Sequence, residues 1–444
     1  MESMRRALRI AVIVIVGCSF PVAAVPAADQ LSEARSAYEK RDYAKAVTLL
    51  DALIGKGSGP SGALELRVRA HIKLNAPGKA VDDYNRLAGH LGKDDRPLLR
   101  ELVLGVIATA VIDMREQMRG AAVTALKEVA GADALPLLES ALADQSGMVR
   151  ALAVEGVART GHAAHSDRLR KLLQDPAALV RGAVVRALGE SGERKLIPDI
   201  EPLLKDDQPR VQAAAAAALV ALGRPEALPT VLEGLKHPKP DERAAVLRIL
   251  AHLKDARVIP AIKAALTDRD GNVRAVAAGI LAERGEAGAA PAIALLVKDP
   301  VAIARGVAAA SLARLEGAKA VPMIEPLLQD ENEFVRAEVA AVLLPHRPGS
   351  AEPVLRASMQ SRDPGVRSAV GKSLAHTGNP AALPYLLELM RDDTPRPRIT
   401  AIRALGHLGS EQHLSTLKPL LSDADVAVRV TAAGAIGRLL QESR

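Results

Sequence analysis

The 444-residue sequence is poor in aromatic side chains and has a single cysteine. It contains no tryptophan, two phenylalanines and four tyrosines, although 49% of its residues are hydrophobic. A core with so few aromatic rings suits closely packed helices and poorly suits a β-sandwich or a barrel. The lone cysteine, Cys18, excludes an intrachain disulfide, a cysteine-based zinc site and a cysteine nucleophile in the folded region.

Motifs that would indicate catalysis or nucleic-acid binding are also missing. The chain has no Gly-rich phosphate loop, no Gly-x-Ser-x-Gly and no His-Glu-x-x-His. His162 and His165 have the spacing of two metal ligands, but no acidic or cysteine neighbour completes a site. Single-stranded nucleic acid would require stacking aromatics. The sequence therefore predicts no catalytic residue, no metal, no cofactor and no nucleic-acid partner.

The net charge is weakly basic. It is +7 for the whole chain, and +5 without residues 1–28, which carry three arginines and one glutamate. A mild basic excess is weak evidence for an acidic partner.

Residues 1–28 are predicted to be a bacterial secretory signal. Three arginines precede an apolar run that is too short to span a bilayer, and small residues and prolines follow it. Two processing routes fit. Val22–Ala24 or Val25–Ala27 matches an ordinary signal peptidase site, whereas Ile15–Cys18 resembles the lipobox of bacterial lipoproteins, in which the cysteine is acylated. Either route exports the mature protein, and we expect a periplasmic location, with a lipid anchor on Cys18 in the outer membrane as one alternative.

An arginine recurs every 31 residues and is interrupted only by Gln212. An aspartate keeps the same period six residues earlier, with His237 and Ser361 at two positions where it is missing. A register held over eleven units indicates a repeat array. The arginines are Arg119, Arg150, Arg181, Arg243, Arg274, Arg305, Arg336, Arg367, Arg398 and Arg429. The aspartates are Asp113, Asp144, Asp175, Asp206, Asp268, Asp299, Asp330, Asp392 and Asp423.

Each unit is predicted to be a pair of helices joined by an aspartate-bearing turn. The residue before the arginine must open the second helix, because Pro397 occupies this column and proline is tolerated only in a first turn. Small or Leu-like residues four and eight positions later form one buried stripe. Glycines such as Gly161 and Gly409 are expected to end the helix in the left-handed conformation. A proline column, with Pro384 as an example, is expected to lie one turn inside the first helix and bend it.

These features resemble the HEAT repeat, specifically the short HEAT-like repeat of the phycobilisome lyase type, over residues 97–440. The resemblance implies an all-α, right-handed α-solenoid of about eleven 31-residue hairpins. In that family the turn aspartate and the helix-start arginine form a ladder of hydrogen bonds within and between units. The resemblance implies the same ladder for Asp144, Arg150, Asp175, Arg181, Asp268, Arg274, Asp299, Arg305, Asp330 and Arg336. The iron-binding pattern of HEAT-repeat hydroxylases is absent, because the chain has no His-Glu dipeptide.

Two units depart from the pattern. Unit five has Glu242, Lys254 and His237 in place of Val, Gly and Asp, and Pro345–Gly349 should shorten the second helix of unit eight. We expect the curvature of the array to change at these places.

Residues 29–93 have a different period. Ala46 and Ala80 are 34 residues apart, the period of tetratricopeptide repeats, and three of the four tyrosines lie here. The segment AYEKRDYAKAVTLL resembles the junction of two helices in such a repeat. The sequence predicts a tetratricopeptide-like helical cap on the solenoid, with a generic four-helix cap as the alternative.

The second helices of such solenoids line the concave face. Positions six and ten residues after the residue that precedes the arginine should face solvent there. They contain basic pairs one turn apart without a matching acid, Arg248/His252, Lys372/His376 and Arg403/His407, and the first of these columns also holds Arg186. These candidate partner-binding residues could form a basic groove for an acidic protein segment or simply a solvated helix face.

The sequence therefore predicts a non-enzymatic protein-interaction scaffold or adaptor in the bacterial cell envelope. Two alternatives stay open. One is a lyase-like or chaperone-like factor that acts on a cofactor-bearing protein, and the other is a structural scaffold tethered to the outer membrane.

Overall fold

The computed structural model describes residues 27–55 and 60–441, which form α-helices and short 3-10 turns without a β-strand. The predicted signal sequence, including Cys18, lies outside the described residues except for its last two positions. The α-helices are α1 (Ala27–Glu39), α2 (Tyr43–Ile54), α3 (Ser61–Lys73), α4 (Pro77–Leu91), α5 (Arg96–Val111), α6 (Glu116–Val129), α7 (Leu135–Ala141), α8 (Gly147–Arg159), α9 (Asp167–Lys171), α10 (Ala178–Glu190), α11 (Ile197–Ile200), α12 (Pro209–Ala221), α13 (Leu228–Glu233), α14 (Pro240–His252), α15 (Ile259–Ala264), α16 (Gly271–Glu283), α17 (Ala290–Leu295), α18 (Ala302–Glu316), α19 (Val321–Ile324), α20 (Glu333–Leu343), α21 (Pro348–Met359), α22 (Pro364–Thr377), α23 (Leu383–Leu389), α24 (Pro395–Leu408), α25 (Leu414–Leu417) and α26 (Val426–Leu439).

Helices α5 to α26 form eleven consecutive pairs, and the all-α repeat array predicted from the 31-residue period is confirmed. In each pair the odd-numbered helix comes first and the even-numbered helix second. The second helices bury the predicted stripe, as Val273, Ala277 and Leu281 of α16 show with at most 1% exposure. The second helix of unit eight, α20, is shortened to 11 residues, as predicted from Pro345 onward.

Most first helices are not continuous α-helices. In unit ten a 3-10 turn, Pro380–Ala382, precedes α23, and Pro384 lies in the first turn of that α-helix. Proline costs little there because first-turn amides have no intrahelical acceptor. The prediction that Pro384 lies one turn inside the helix is therefore wrong. Among the described α-helices, α21 is the one in which the proline of this column, Pro353, lies beyond the first turn.

The helix-ending glycines follow the prediction with one exception. Gly409 has φ −80° and ψ −177°, which is extended backbone and not the left-handed conformation expected from its column. The chain leaves α24 differently because the Ser410 N–H donates to His413 Nδ1 at 3.0 Å, which starts the next 3-10 turn. The other five glycines of this column have positive φ, and they are Gly161, Gly192, Gly223, Gly285 and Gly378.

The second helices line the inner side of a curve. His252 of α14 lies 3.4 Å from Glu190 of α10, and His407 of α24 lies 3.4 Å from Glu128 of α6, so each pair reaches across one intervening second helix. Side chains from helices two units apart can approach this closely only on the inner side of a curved array. Each second helix also packs on the second helix of the next unit.

The array closes on itself. Helix α26 packs against α6 at least as extensively as any two neighbouring second helices do. Glycines make this approach possible, because a Cβ at Gly434 would lie 3.0 Å from the Cα of Ala125 and a Cβ at Gly437 would lie 2.6 Å from Val129 Cγ2. The eleven units therefore form a closed ring, with the second helices around a central lumen.

The junction between unit eleven and unit one, here called the seam, also contains polar contacts on both sides of α26. They connect residues more than 300 positions apart in the chain, and each joins unit one, or the turn before it, to unit eleven. The contacts are Arg438–Glu128 at 3.0 Å, Lys418–Asp94 at 2.6 Å, Arg96–Glu411 at 2.7 Å, and Gln441 Nε2 to the Ala130 carbonyl at 3.0 Å.

The N-terminal helices do not cover the edge of the array as the predicted cap would. The face of α6 that would be free in an open solenoid is covered by α26, whereas α3 and α4 pack on the first helix α5. Ala46 and Ala80 are both fully buried, and the rings of Tyr38 and Tyr43 meet edge to face at 5.2 Å. Residues 29–93 are thus a helical branch on unit one, and their tetratricopeptide-like character stays a prediction.

Ring closure predicts a specific crosslink. In a Cys18→Ala background, Ala125→Cys with Gly434→Cys should form an intramolecular disulfide, since the Cβ positions of these residues lie 3.0 Å apart, near disulfide geometry. Mobility on non-reducing gels measures it. Ala218→Cys with Gly434→Cys is the matched control, because Ala218 occupies the column of Ala125 in unit four. An open solenoid would leave both pairs uncrosslinked.

Candidate functional site

A ladder of ion pairs joins consecutive units around the ring. The guanidinium of Arg150 donates from Nη1 to the main-chain carbonyl of Asp144, in its own unit, at 2.7 Å. Its Nε and Nη2 donate to the two carboxylate oxygens of Asp175, in the next unit, both at 2.7 Å. Asp175 Oδ1 also accepts from the Ala177 N–H at 2.8 Å, just before the next second helix. One rung therefore fixes a turn, a helix start and the contact between two units.

Eight rungs have this inter-unit ion pair, with N–O distances of 2.6 to 3.0 Å. They are Arg119–Asp144, Arg150–Asp175, Arg181–Asp206, Arg243–Asp268, Arg274–Asp299, Arg305–Asp330, Arg367–Asp392 and Arg398–Asp423. Within a unit, the arginine contacts the carbonyl of the aspartate and not its carboxylate.

Three rungs lack the inter-unit pair. Arg336 donates to the carbonyls of Asp330 and Glu331, at 2.6 and 3.1 Å, and its carboxylate contact is Glu333 of its own helix at 3.9 Å, because unit nine has Ser361 where an aspartate would accept. Gln212 reaches only the Asp206 carbonyl, at 2.5 Å. Around the part of the ring that the structure describes, these breaks and the seam, where Arg429 has no carboxylate partner, interrupt the ladder.

The paired rungs are largely buried. The side chain of Arg274 is 13% exposed and that of Asp299 is 4% exposed. The hydrogen bond from Arg305 is the main cause that lowers the pKa of Asp330 below its usual range. These arginines are occupied by their aspartates, so they are part of the architecture and not an accessible binding surface.

The candidate partner-binding residues divide into two groups. Arg248, Lys372 and Arg403 are exposed on the lumen side and have no carboxylate partner in the described part of the chain. Arg314, which the sequence did not single out, is also exposed on the lumen side and has no carboxylate partner among the described residues. Arg186, in contrast, donates to Glu155 Oε1 at 2.6 Å.

The expectation that the basic pairs have no matching acid is wrong for two of the histidines. His252 faces Glu190 and His407 faces Glu128, both at 3.4 Å. The acids come from helices two units away, so curvature brings them together and sequence proximity does not. His376 acts electrostatically on Glu338, whose pKa is raised by burial.

Glu128 is a site residue that the sequence did not reveal. It lies at the ring seam, 3.0 Å from Arg438 and 3.4 Å from His407. Burial acts to raise its pKa, but the hydrogen bonds and charges of these two partners outweigh burial and lower the pKa to about 2. Its carboxylate is therefore ionised and bound in the seam at neutral pH.

A cavity of about 620 Å³ opens into the lumen between α8, α10, α12 and α14. Its floor is the alanine face of α12, which includes Ala214, Ala217 and Ala221. The cavity lies beside unit five, where the packing between α12 and α14 is the sparsest in the ring. The ladder is also broken at this junction, because Gln212 of unit four bonds only to a carbonyl of its own unit and unit five has His237 in the aspartate column.

Residues 27–55 and 60–441 contain neither a candidate metal site nor a candidate membrane-spanning helix. No group of three or more His, Cys, Asp or Glu side chains there is arranged to hold a metal ion. Within the same residues, no helix combines the length and apolar character needed to cross a bilayer.

The family described as HEAT repeats matches residues 103–188, 166–246, 228–313, 324–398 and 389–444. No curated protein matches the chain. Among solved structures, the complex of CpcE and CpcF of phycocyanin lyase from Nostoc sp. PCC7120 is 22% identical, with 51% of this chain and 94% of that chain covered and a TM-score of 0.37. Human deoxyhypusine hydroxylase is 20% identical, with 70% and 98% covered and a TM-score of 0.28. Kap95p, solved with RanGDP, is 12% identical, with 93% and 67% covered and a TM-score of 0.31.

The ladder predicts unequal costs for two arginine substitutions. Arg274→Ala should lower the free energy of unfolding by about 3 kcal/mol, because it leaves the buried carboxylate of Asp299 without its cation. Arg336→Ala, the matched control, removes bonds to carbonyls and a 3.9 Å contact with the half-exposed Glu333 of its own helix, and should cost about 1 kcal/mol. Urea and thermal unfolding measure both. Equal effects, or unchanged melting of the Arg274 variant, would contradict a structural role for the inter-unit pair.

Proposed function

The chain belongs to the HEAT-repeat family, and we propose that it is a non-enzymatic scaffold or adaptor that binds an acidic protein segment inside its ring. The observation that carries the proposal is the set of exposed basic side chains on the inner helices. Arg248, Arg314, Lys372 and Arg403 have no carboxylate partner in the described part of the chain. They lie on four different second helices, so the positive charge is distributed around the lumen.

The acids of the same columns are mostly paired with basic side chains. Glu128, Glu155 and Glu190 each face at least one basic side chain within 3.4 Å. In these columns of the described chain Glu283 has no basic partner, and the partner of Glu190, His252, is a cation only when protonated. The lumen therefore has an excess of positive charge, which favours an acidic occupant.

The size of the ring limits the kind of segment. Eleven helices at interaxial distances of about 8–10 Å place their axes on a circle about 30 Å across. Helices with a diameter of about 10 Å then leave a lumen of about 20 Å. A single helix or an extended segment fits this space, whereas a domain of 100 residues, with a radius of gyration of about 13 Å, does not.

Charge reversal in the lumen tests this function. The triple variant Arg248→Glu, Lys372→Glu and Arg403→Glu should lose at least tenfold in the recovery of crosslinked partners, because acidic groups would then meet like charges. In-cell crosslinking, affinity purification and quantitative mass spectrometry measure the recovery.

The matched control reverses three exposed lysines outside the second helices, Lys205, Lys298 and Lys319, in one variant. It should keep its partners. Unchanged recovery with the lumen variant, or equal loss with both variants, would rule out binding by the lumen.

The proposed location is the periplasm, with a lipid anchor on Cys18. The support is the lipobox-like Ile15–Cys18, where the only cysteine of the chain stands. The anchor would place the ring at the outer membrane and leave its lumen accessible to soluble partners.

Fractionation of cells tests the anchor. Wild-type protein should be found with the outer membrane, and Cys18→Ala should move it to another fraction, because the acylated residue is lost. Ser19→Ala, which keeps the cysteine, should fractionate like the wild type. A Cys18→Ala protein that fractionates with the membrane as before would show that the cysteine is not the anchor.

The alternative of a lyase-like or chaperone-like factor is favoured by one observation, the 620 Å³ cavity with charged side chains at its edges. It requires that the purified protein change the covalent structure or the absorption spectrum of a cofactor on a second protein. A scaffold would leave both unchanged.

A further inference from the structure

The lumen cavity exists because α12 has alanines where its neighbours have long side chains. Six residues after the residue that precedes the arginine column, α10 has Arg186 and α14 has Arg248, whereas α12 has Ala217. Ten residues after it, Glu190 and His252 flank Ala221. The missing side-chain volume forms a trough whose floor is α12 and whose walls are α10 and α14.

Ion pairs mark the two ends of the trough. His252 meets Glu190 across Ala221 at 3.4 Å. At the other end, Arg210 of α12 donates from Nε to Glu242 of α14 at 2.6 Å. Between these pairs the lining is mainly apolar and includes the half-exposed Leu179. From Val211 to Ala221 the trough is about 15 Å long, from a rise of 1.5 Å per residue.

Two arginines flank this floor. The side chains of α10 and α14 meet at the level of Glu190 and His252, and one turn earlier on the same two helices Arg186 and Arg248 line the cavity on either side of Ala217. Arg186 is held by Glu155, whereas Arg248 has no carboxylate partner in the described residues. Arg210, the third arginine of the lining, pairs with Glu242. Among the described residues that line the cavity, Arg248 is therefore the arginine whose charge is left for an anion.

We propose that this trough binds a small amphipathic monoanion, with its carboxylate on Arg248 and its apolar body along the alanine floor. A cavity of 620 Å³ lies within the range of about 300–1,000 Å³ that small-molecule sites occupy. Guanidinium groups recognise carboxylates in bidentate geometry, and the alanine and leucine lining removes the chain of the ligand from water. The site shares Arg248 with the surface proposed for the acidic segment, but it lies in one sector of the ring and needs no protein partner.

Titration of the full-length protein with decanoate tests the site, with isothermal calorimetry as the measurement. Decanoate should bind with a stoichiometry of one. Arg248→Met should raise its Kd at least tenfold by removing the unpaired cation. Ala217→Leu should raise it similarly by filling the floor. Decanol, which has the same chain without the charge, should bind at least tenfold more weakly.

Arg403→Met is the matched control, since Arg403 has the same column, exposure and lack of a carboxylate partner as Arg248, but lies outside the trough. It should leave the Kd for decanoate unchanged. Equal weakening by Arg248→Met and Arg403→Met, binding of decanol as tight as that of decanoate, or no binding of decanoate would each overturn the proposal. Because Arg248 is exposed, Arg248→Met should fold normally, so the proposal can be tested even if Ala217→Leu lowers the melting temperature. No protein partner is present, so a negative result here leaves the acidic-segment proposal standing.

Discussion

The bidentate ion pair between a ladder arginine and the aspartate of the next unit is the interaction on which the ring depends. Arg274 shows why, because one guanidinium is fixed by the Asp268 carbonyl at 2.6 Å and by both oxygens of Asp299 at 2.7 Å. These bonds allow little rotation of one unit against the next. The geometry of a single rung is therefore repeated along the chain, and a small angle between units accumulates to a defined curvature.

Closure after eleven units corresponds to a rotation of about 33° per unit. The contact between unit eleven and unit one differs in register from the contacts along the array. Along the array a Cβ at Gly406 would meet Ala435 of the next second helix, whereas across the seam a Cβ at Gly437, in the same column, meets Val129, one turn further along its helix. The same displacement accounts for the missing rung, because Asp113, which would be the partner of Arg429, is paired with Arg115. The seam is held instead by glycine packing, by Glu128 and by the polar contacts between units one and eleven.

The sequence alone was sufficient for the units, and it could not reveal their closure. A period of 31 residues, an arginine column and a small/Leu stripe are local patterns, and they predicted the eleven pairs and the stripe that α16 buries. The seam joins Glu128 to Arg438, and neither residue departs from its column in a way that signals a partner. Closure depends on the sum of ten inter-unit angles, and no single unit encodes that sum. The acids opposite His252 and His407 were missed for the same reason.

Departures from the repeat determine where the lumen has room. A unit that keeps long charged side chains on its inner face fills the space beside it, as Glu155 and Arg186 do by pairing with each other. Unit four has alanines there, and it also has Gln212 in place of the ladder arginine, which loosens its contact with unit five. The same short side chains thus weaken one junction and open one cavity. A ring of identical units would have neither feature, so the units that break the pattern give the lumen its distinct surfaces, while the regular units hold them in place.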